Sequence, residues 1–335
     1  MLNSPISRQR GLSLIELMIS VLLGALILAG TVSIFQQSRQ SSAQDEQVAR
    51  MQENGRFALR FLSRELTMMG FWDGILSPGS ITTGDVTAGI TTDCNANWVL
   101  DLTPAIEVND NVAAAATPYT CITAADIADE TDVLSIKRAA DDPALEVDAG
   151  GNATGAVDTG TIYLKTNSVV AALYDSSNSG SGAAADDGPA AVPDPNSISQ
   201  YHVYIFYVRP WSVTAGDGIP TLVRESLIDN VMTTQPIVEG IENLQLEFGI
   251  DGTDNDLAAD YYTAAPTAAE LINAVSARIY VLVRSINPVS GYTNAKAYNL
   301  GSEVVSVAND NFYRRVYAAT AQLRNADKLK LYGLN

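Results

Sequence analysis

The chain has 335 residues, 47% of them apolar, and 20 Lys and Arg stand against 38 Asp and Glu, a net charge of −18. That balance excludes a nucleic acid as the primary ligand, because such binding rests on clustered Lys and Arg; it suits a solvated extracellular surface. The length admits one large domain with a sizeable core.

In chain order, the first signal is a leader. Arg8 and Arg10 precede Gly11, and from Leu12 to Phe35 the only ionisable side chain is Glu16. A run of that length exceeds the roughly 20 apolar residues that cross a bilayer as a helix. The two arginines hold the leader on the cytoplasmic side and send the rest outward. A secretory signal would have a shorter apolar run with a small-residue cleavage site behind it. Here the break, Gly11, lies in front. A plain anchor leaves Glu16 unexplained, because a carboxylate inside lipid costs about 2.5–3.5 kcal/mol even on mild insertion scales.

The helix is predicted to continue to about Met69. No proline occurs between Pro5 and Pro78. Met51, Ala58, Leu62 and Met69 fall on one face with Leu59 and Leu66 beside them, and Gly70 is the stop. Gly24 and Gly30 are either close-approach positions or simply tolerated in a membrane helix.

From Phe71 to about Asn196 the chain is rich in Ala, Gly, Thr, Asp and Asn. Asp132–Arg138 and Thr161–Tyr174 read as strands. Asp175–Asn196 reads as a mobile polar loop of Gly, Ser and Pro. The only cysteines, Cys94 and Cys121, form an even pair in an exported chain and read as one disulfide. A metal site would want more ligands, and the sole histidine, His202, is far away in sequence.

The carboxy-terminal third is β. Tyr201–Arg209 is apolar on both faces, as a central strand would be. Leu244, Leu246, Phe248 and Ile250 alternate with Gln245 and Glu247. Val275, Ala277, Ile279, Val281 and Val283 share a face opposite Arg278 and Arg284. Both segments read as half-buried strands, and Phe312–Asn325 reads as a last one. One long helix followed by antiparallel strands gives an α+β fold.

Catalytic patterns are absent: no Gly-x-Ser-x-Gly elbow, no Walker A, no Cys–His spacing, no zinc-type cluster. A Gly-Ser-Gly-Ala-Ala-Ala fragment within the polar loop lacks strand–turn–helix context. His202, inside an apolar β run, reads as a packing residue. No enzyme and no catalytic residue are expected. The one metal candidate is the loop Asp251–Tyr262, where Asp251, Asp254, Asp256 and Asp260 could offer hard oxygens to calcium. Its order differs from a regular calcium loop and it lacks the terminal Glu. A solvated turn is the favoured reading, so no cofactor is expected.

Gly11-Leu12-Ser13-Leu14-Ile15-Glu16-Leu17, behind basic residues and opening an apolar run, resembles the class III signal of type IV pilins and pseudopilins. The resemblance implies that a prepilin peptidase cuts after Gly11 and methylates the amine of Leu12, where the family usually has Phe. Glu16 becomes the fifth mature residue. In a filament its buried carboxylate would need a partner, and the methylated amine of a neighbour's Leu12 is the implied one. MQENGRFALRFLSREL, and later PIVEGIENLQLEFGID, ARIYVLVRS and RRVYAATAQLRN, resemble the PilW family of minor pilins. PilW-like sequences often carry an Asp-rich loop after this same strand.

The implied organisation is a cleaved leader, 1–11; a long helix, 12–70, with a transmembrane segment 12–35; and a β-rich head, 71–335. The head has a variable middle, 72–199, that carries no resemblance, and a PilW-like part, 200–335. The implied function is that of a non-catalytic minor pilin that joins other minor pilins to prime type IV pilus assembly at or near the tip. A head this large suits a subunit used once rather than a repeating major one. The implied partners are other minor pilins and the major pilin through the helix, the prepilin peptidase, the inner-membrane assembly platform and a large tip adhesin. The implied location is the bacterial inner membrane and then the pilus, with the head in the periplasm or outside. The alternative is a J-type minor pseudopilin of a type II secretion system.

Overall fold

The computed structural model describes residues 11, 13–86, 90–113, 116–144, 146–147, 153–154, 158, 160–175, 192, 197–253, 256–307 and 309–325. Leader residues 1–10, Leu12 and nearly all of the Gly/Ser/Pro loop lie outside the described residues. The chain forms two compact units, Met1–Ala49 and Arg50–Asn335. The helix α1 spans Leu14–Met68, so the division falls inside it.

In the first unit α1 is apolar from Leu14 to Phe35, polar beyond it, and uninterrupted by proline. In the second unit its continuation turns a stripe inward: Met51, Ala58, Leu59, Leu62 and Leu66 are buried, as the 3.6-residue spacing requires. Gly70 ends the helix with a φ of +64°, a left-handed position that glycine adopts without strain.

The strands of the second unit are β1 (Ile81–Asp85), β2 (Ile106–Val112), β3 (Thr131–Ala139), β4 (Glu146–Val147), β5 (Ala153–Thr154), β6 (Ile162–Thr166), β7 (Ala171–Asp175) and β8 (Ser197–Arg209). There follow β9 (Thr221–Ile228), β10 (Val231–Glu239), β11 (Ile241–Ile250), β12 (Tyr261–Thr263), a short helix α2 (Ala268–Ile272), β13 (Ala274–Arg284), β14 (Ala297–Leu300), β15 (Glu303–Ser306) and β16 (Arg314–Gln322). An eight-stranded sheet runs β1-β7-β6-β8-β3-β2, with β9 and β10 attached through β8. A four-stranded sheet runs β12-β11-β13-β16. The pairings are antiparallel except β1 with β7.

Strand β8 is the axis. It pairs with β3 along one edge, and along the other with β6 first and β9 later. Its alternate side chains feed two cores. Tyr204, Phe206 and Val208 join α1, Leu134, Leu246 and Ile279. Tyr201, Val203, Ile205 and Tyr207 join Trp72, Cys94, Trp98 and Leu173. That is why Tyr201–Arg209 is apolar on both faces. Each such side chain, fully buried, contributes about 1.5–3 kcal/mol. From the variable middle, β3 and β6 both pair with β8.

Two expectations need correction. Thr161–Tyr174 is two strands, β6 and β7, folded back at Asn167. The Asn167 Oδ1 accepts the Val169 and Val170 N–H groups at 3.0 and 2.8 Å, an Asx-type turn. Strand β11 is not half-buried at Gln245, which is 2% exposed. The Gln245 Nε2 donates to Asn111 Oδ1, Glu130 O and Asn243 Oδ1, each at 3.1 Å. The second face of β11 is covered there by the β2–β3 region. The β9–β10 hairpin escaped the sequence reading. Its signal was Asp229-Asn230, both at positive φ, 49° and 59°, as a two-residue mirror-image turn demands.

Candidate functional site

At the amino terminus, Gly11 is exposed, and a Cβ there would meet nothing within 4 Å. Leu12 lies outside the described residues. Glu16 stands in the first turn of α1, where the Ser13 N–H donates to its Oε2 at 3.3 Å. The Leu17 N–H donates to the Ser13 carbonyl at 3.1 Å. Glu16 thus closes half of a capping box and puts negative charge at the positive end of the helix. From Leu14 to Phe35 the large apolar side chains are exposed; Leu14 is 76% and Ile34 68% accessible. The helix is long and apolar enough to cross a membrane.

In the second unit, the segment MQENGRFALRFLSREL joins α1 to both halves of the head. The Asn54 Nδ2 donates to the Glu239 carbonyl at 2.9 Å. Gly55 faces the ring of Tyr317, and Ala58 is fully buried. Glu65 Oε2 accepts two hydrogen bonds from buried Arg138, from Nε at 3.0 Å and from Nη2 at 2.9 Å. Arg64 pairs with Asp141 at 2.9 Å on the surface. Sequence reading passed over Glu65 and Arg138, since their partnership spans distant strands.

Cys94 and Cys121 are joined in a disulfide. The loop they close is organised on Glu107. Its Oε2 accepts from Trp98 Nε1 at 2.7 Å, Tyr119 OH at 2.9 Å and Ser135 Oγ at 3.2 Å. Lys137 Nζ lies 4.1 Å from the Trp98 ring centroid and donates to the Asp101 carbonyl at 2.6 Å. Burial lowers the Lys137 ammonium to about 8, although Glu107 opposes the shift.

Asp132 is fully buried. Its Oδ1 accepts the Asn111 N–H at 3.0 Å and its Oδ2 the Leu246 N–H at 2.7 Å, tying β2 and β11 together. Burial pushes its carboxyl up to about 8; the two N–H groups oppose this, and the charges of Asp110 and Glu303 add to it.

The acidic loop after β11 uses its carboxylates on its own backbone. Asp260 Oδ2 accepts the Gly252 and Thr253 N–H groups at 2.9 and 3.1 Å, which hold its carboxyl below the usual range. Asp251 Oδ2 accepts from Leu257 N–H at 3.0 Å and Asp256 Oδ1 from Ala258 N–H at 2.8 Å. Asp254 lies outside the described residues. Among the described residues no three His, Cys, Asp or Glu side chains converge as a metal site. His202 is half-buried and stacked on Tyr204, 5.2 Å between centroids. Burial, followed by the charges of Arg138 and Arg224, lowers it to about 3, so the ring is neutral.

Residues 6–32 match the prokaryotic N-terminal methylation motif. Residues 205–325 match PilW, type IV pilus-assembly protein W. No curated protein matches the chain. Among solved structures, a type IV-like pilin from Thermus thermophilus is similar at 11% identity over 83% of this chain and 97% of that one, with a TM-score of 0.37. So weak a likeness supports no transfer of detail. The methylation motif stands before an uncovered apolar helix that leads to a β-rich head, an arrangement consistent with the type IV pilin class. Its carboxy-terminal part is similar to PilW.

Proposed function

We propose that this chain is a non-catalytic minor pilin that joins other minor pilins to prime type IV pilus assembly and resides at or near the pilus tip. The observation that carries the reading is the uncovered apolar stretch Leu14–Phe35, directly behind Gly11 and continuous with a head that matches PilW. That match favours the pilus over a J-type pseudopilin of a secretion system.

Prepilin peptidase cuts after Gly11 and methylates the amine of Leu12, while the helix holds the subunit in the inner membrane. On assembly, helices exchange lipid for one another. Glu16 then lies where a lone charge is expensive and a paired one is tolerable. Its contact with the Ser13 N–H, at 3.3 Å, leaves carboxylate acceptor sites free. The methylated amine of a neighbouring subunit fills them and sets the register. The disulfide-closed head faces outward and meets the other tip subunits.

Glu16→Ala, expressed at wild-type level, tests this. Leader removal and membrane insertion should persist. Copurified minor pilins and pilus number should fall about tenfold or more, because one buried charge left alone costs about 3–5 kcal/mol. Intact complexes with normal pili would remove Glu16 from assembly.

A further inference from the structure

The eight-stranded sheet ends at β2. The Lys137 N–H donates to the Ala105 carbonyl at 2.8 Å, which sets the phase of the β2–β3 ladder. In the register Ile106↔Ile136 and Val108↔Leu134, the N–H and C=O groups of Ile106 and Val108 therefore point away from β3. Among the described residues these four groups have no partner. They form an open strand edge, a template for another strand.

A groove runs along that edge in two adjoining chambers that share Pro104, Ile106, Ala268 and Leu271. The first, about 330 Å³, is apolar and extends to Pro78 and Ile272. The second, about 290 Å³, is bounded by Glu107 and Asn109 on β2 and by the disulfide loop at Asn95 and Tyr119. The two walls differ. Ile106 and Val108 turn toward the core that includes Leu271 of α2, whereas Glu107 turns to Trp98 and Tyr119 of the loop. The Glu107 Oε1 takes no hydrogen bond among the described residues. From residue 50 onward, 17 Lys and Arg (20 less Arg8, Arg10 and Arg39) face 35 Asp and Glu (38 less Glu16, Asp45 and Glu46), a net charge of −18.

We propose that this groove takes an extended peptide segment of a partner protein, added as a strand to β2 and alternating large apolar with basic side chains. Main-chain hydrogen bonds to Ile106 and Val108 supply affinity, and the alternating pockets supply specificity. The apolar side chains enter the chamber between Pro104 and Leu271; the basic ones meet Glu107 on the opposite wall. Nothing in this inference depends on leader processing or on Glu16.

The test is fluorescence anisotropy with fluorescein-labelled Lys-Leu-Lys-Leu-Lys-Leu-Lys and the full chain in zwitterionic nanodiscs, with empty nanodiscs as blank. Saturable binding is expected. Exposed Ala268→Arg should weaken it about tenfold by filling the groove with a like charge. Val108→Pro removes an outward N–H without touching the β3 ladder and should weaken it by a similar factor. Circular dichroism confirms that both variants are folded. Equal binding by wild type and both variants would overturn the proposal, as would equal binding of the block sequence Lys-Lys-Lys-Lys-Leu-Leu-Leu. Residues 328–331 of this chain read Lys-Leu-Lys-Leu. Binding that emerges only after truncation at Asn325 would assign the groove to the chain's own end and overturn the partner proposal too.

Discussion

Gly55 and Tyr317 meet as backbone against ring: a Cβ on residue 55 would lie 2.6 Å from the Tyr317 Cδ2 and 2.9 Å from its Cε2. The absence of a side chain lets β16 sit against α1. Gly55→Ala gains roughly 1 kcal/mol of helix propensity but forces the ring or the helix to move, at about 1–3 kcal/mol. The variant should be less stable in denaturant unfolding of the full chain in detergent. Adding Tyr317→Ala should recover the propensity gain, so the double variant should lose less than the sum. A stabilising Gly55→Ala would show that the ring yields freely.

Glu65 and Arg138 are 5% and 4% exposed, so neither charge has water to fall back on. Arg138→Met should cost about 3–5 kcal/mol, and Glu65→Leu with Arg138→Met much less. Arg64→Ala, next along the helix, breaks a pair whose side chains are 65% and 45% exposed. It should change stability by under about 1 kcal/mol. Similar losses from the two arginine variants would contradict the assigned burial.

Reducing Cys94–Cys121 releases a loop with a sequence separation of 27. For a loop of that size the chain-entropy account gives a loss of about 3–4 kcal/mol. The protein purified without reductant should show no reactive thiol under denaturing conditions. Double replacement by serine should lower the melting temperature. Stoichiometric labelling without reductant would refute the pairing.

Asp132 makes stability depend on pH in the direction opposite to an ordinary ion pair. Its carboxyl titrates at 3.8 when unfolded and is raised to about 8 in the fold. Between those values the folded chain binds more protons. Stability is therefore fullest below about 4, falls as pH rises toward 8 and levels beyond. The slope is at most about 1.4 kcal/mol per pH unit. Among the described residues the charged groups acting on Asp132 are Asp110 and Glu303. Wild type should lose more melting temperature than Asp132→Asn between pH 5 and 8. Parallel curves would mean that the carboxylate is ionised throughout.

Gly11→Val should block leader removal, because the peptidase must approach the backbone at a residue that lacks a side chain. The expected product is a membrane-held precursor, seen by amino-terminal sequencing. A wild-type protein that keeps residues 1–11 would sink the prepilin reading itself.

What the sequence by itself determined lies in one dimension. The apolar run Leu14–Phe35, the helical stripe from Met51 to Met69 and the stop at Gly70 depend on neighbours a few residues apart. So does the double apolar face of Tyr201–Arg209. Such patterns are local, and periodicity reads them. The cysteine pair needed only parity and an exporting signal. The tertiary structure alone decided what lies between distant segments. Gln245, polar in an alternating strand, is buried because Asn111 and Glu130 arrive from elsewhere to satisfy it. Arg138, on an apolar strand, is tolerated because Glu65 of the helix reaches it. The groove beside β2 exists only because α2 and the disulfide loop, distant in sequence, flank the same free edge. A buried polar group must find its partner wherever the fold delivers one. No local pattern can say where that will be.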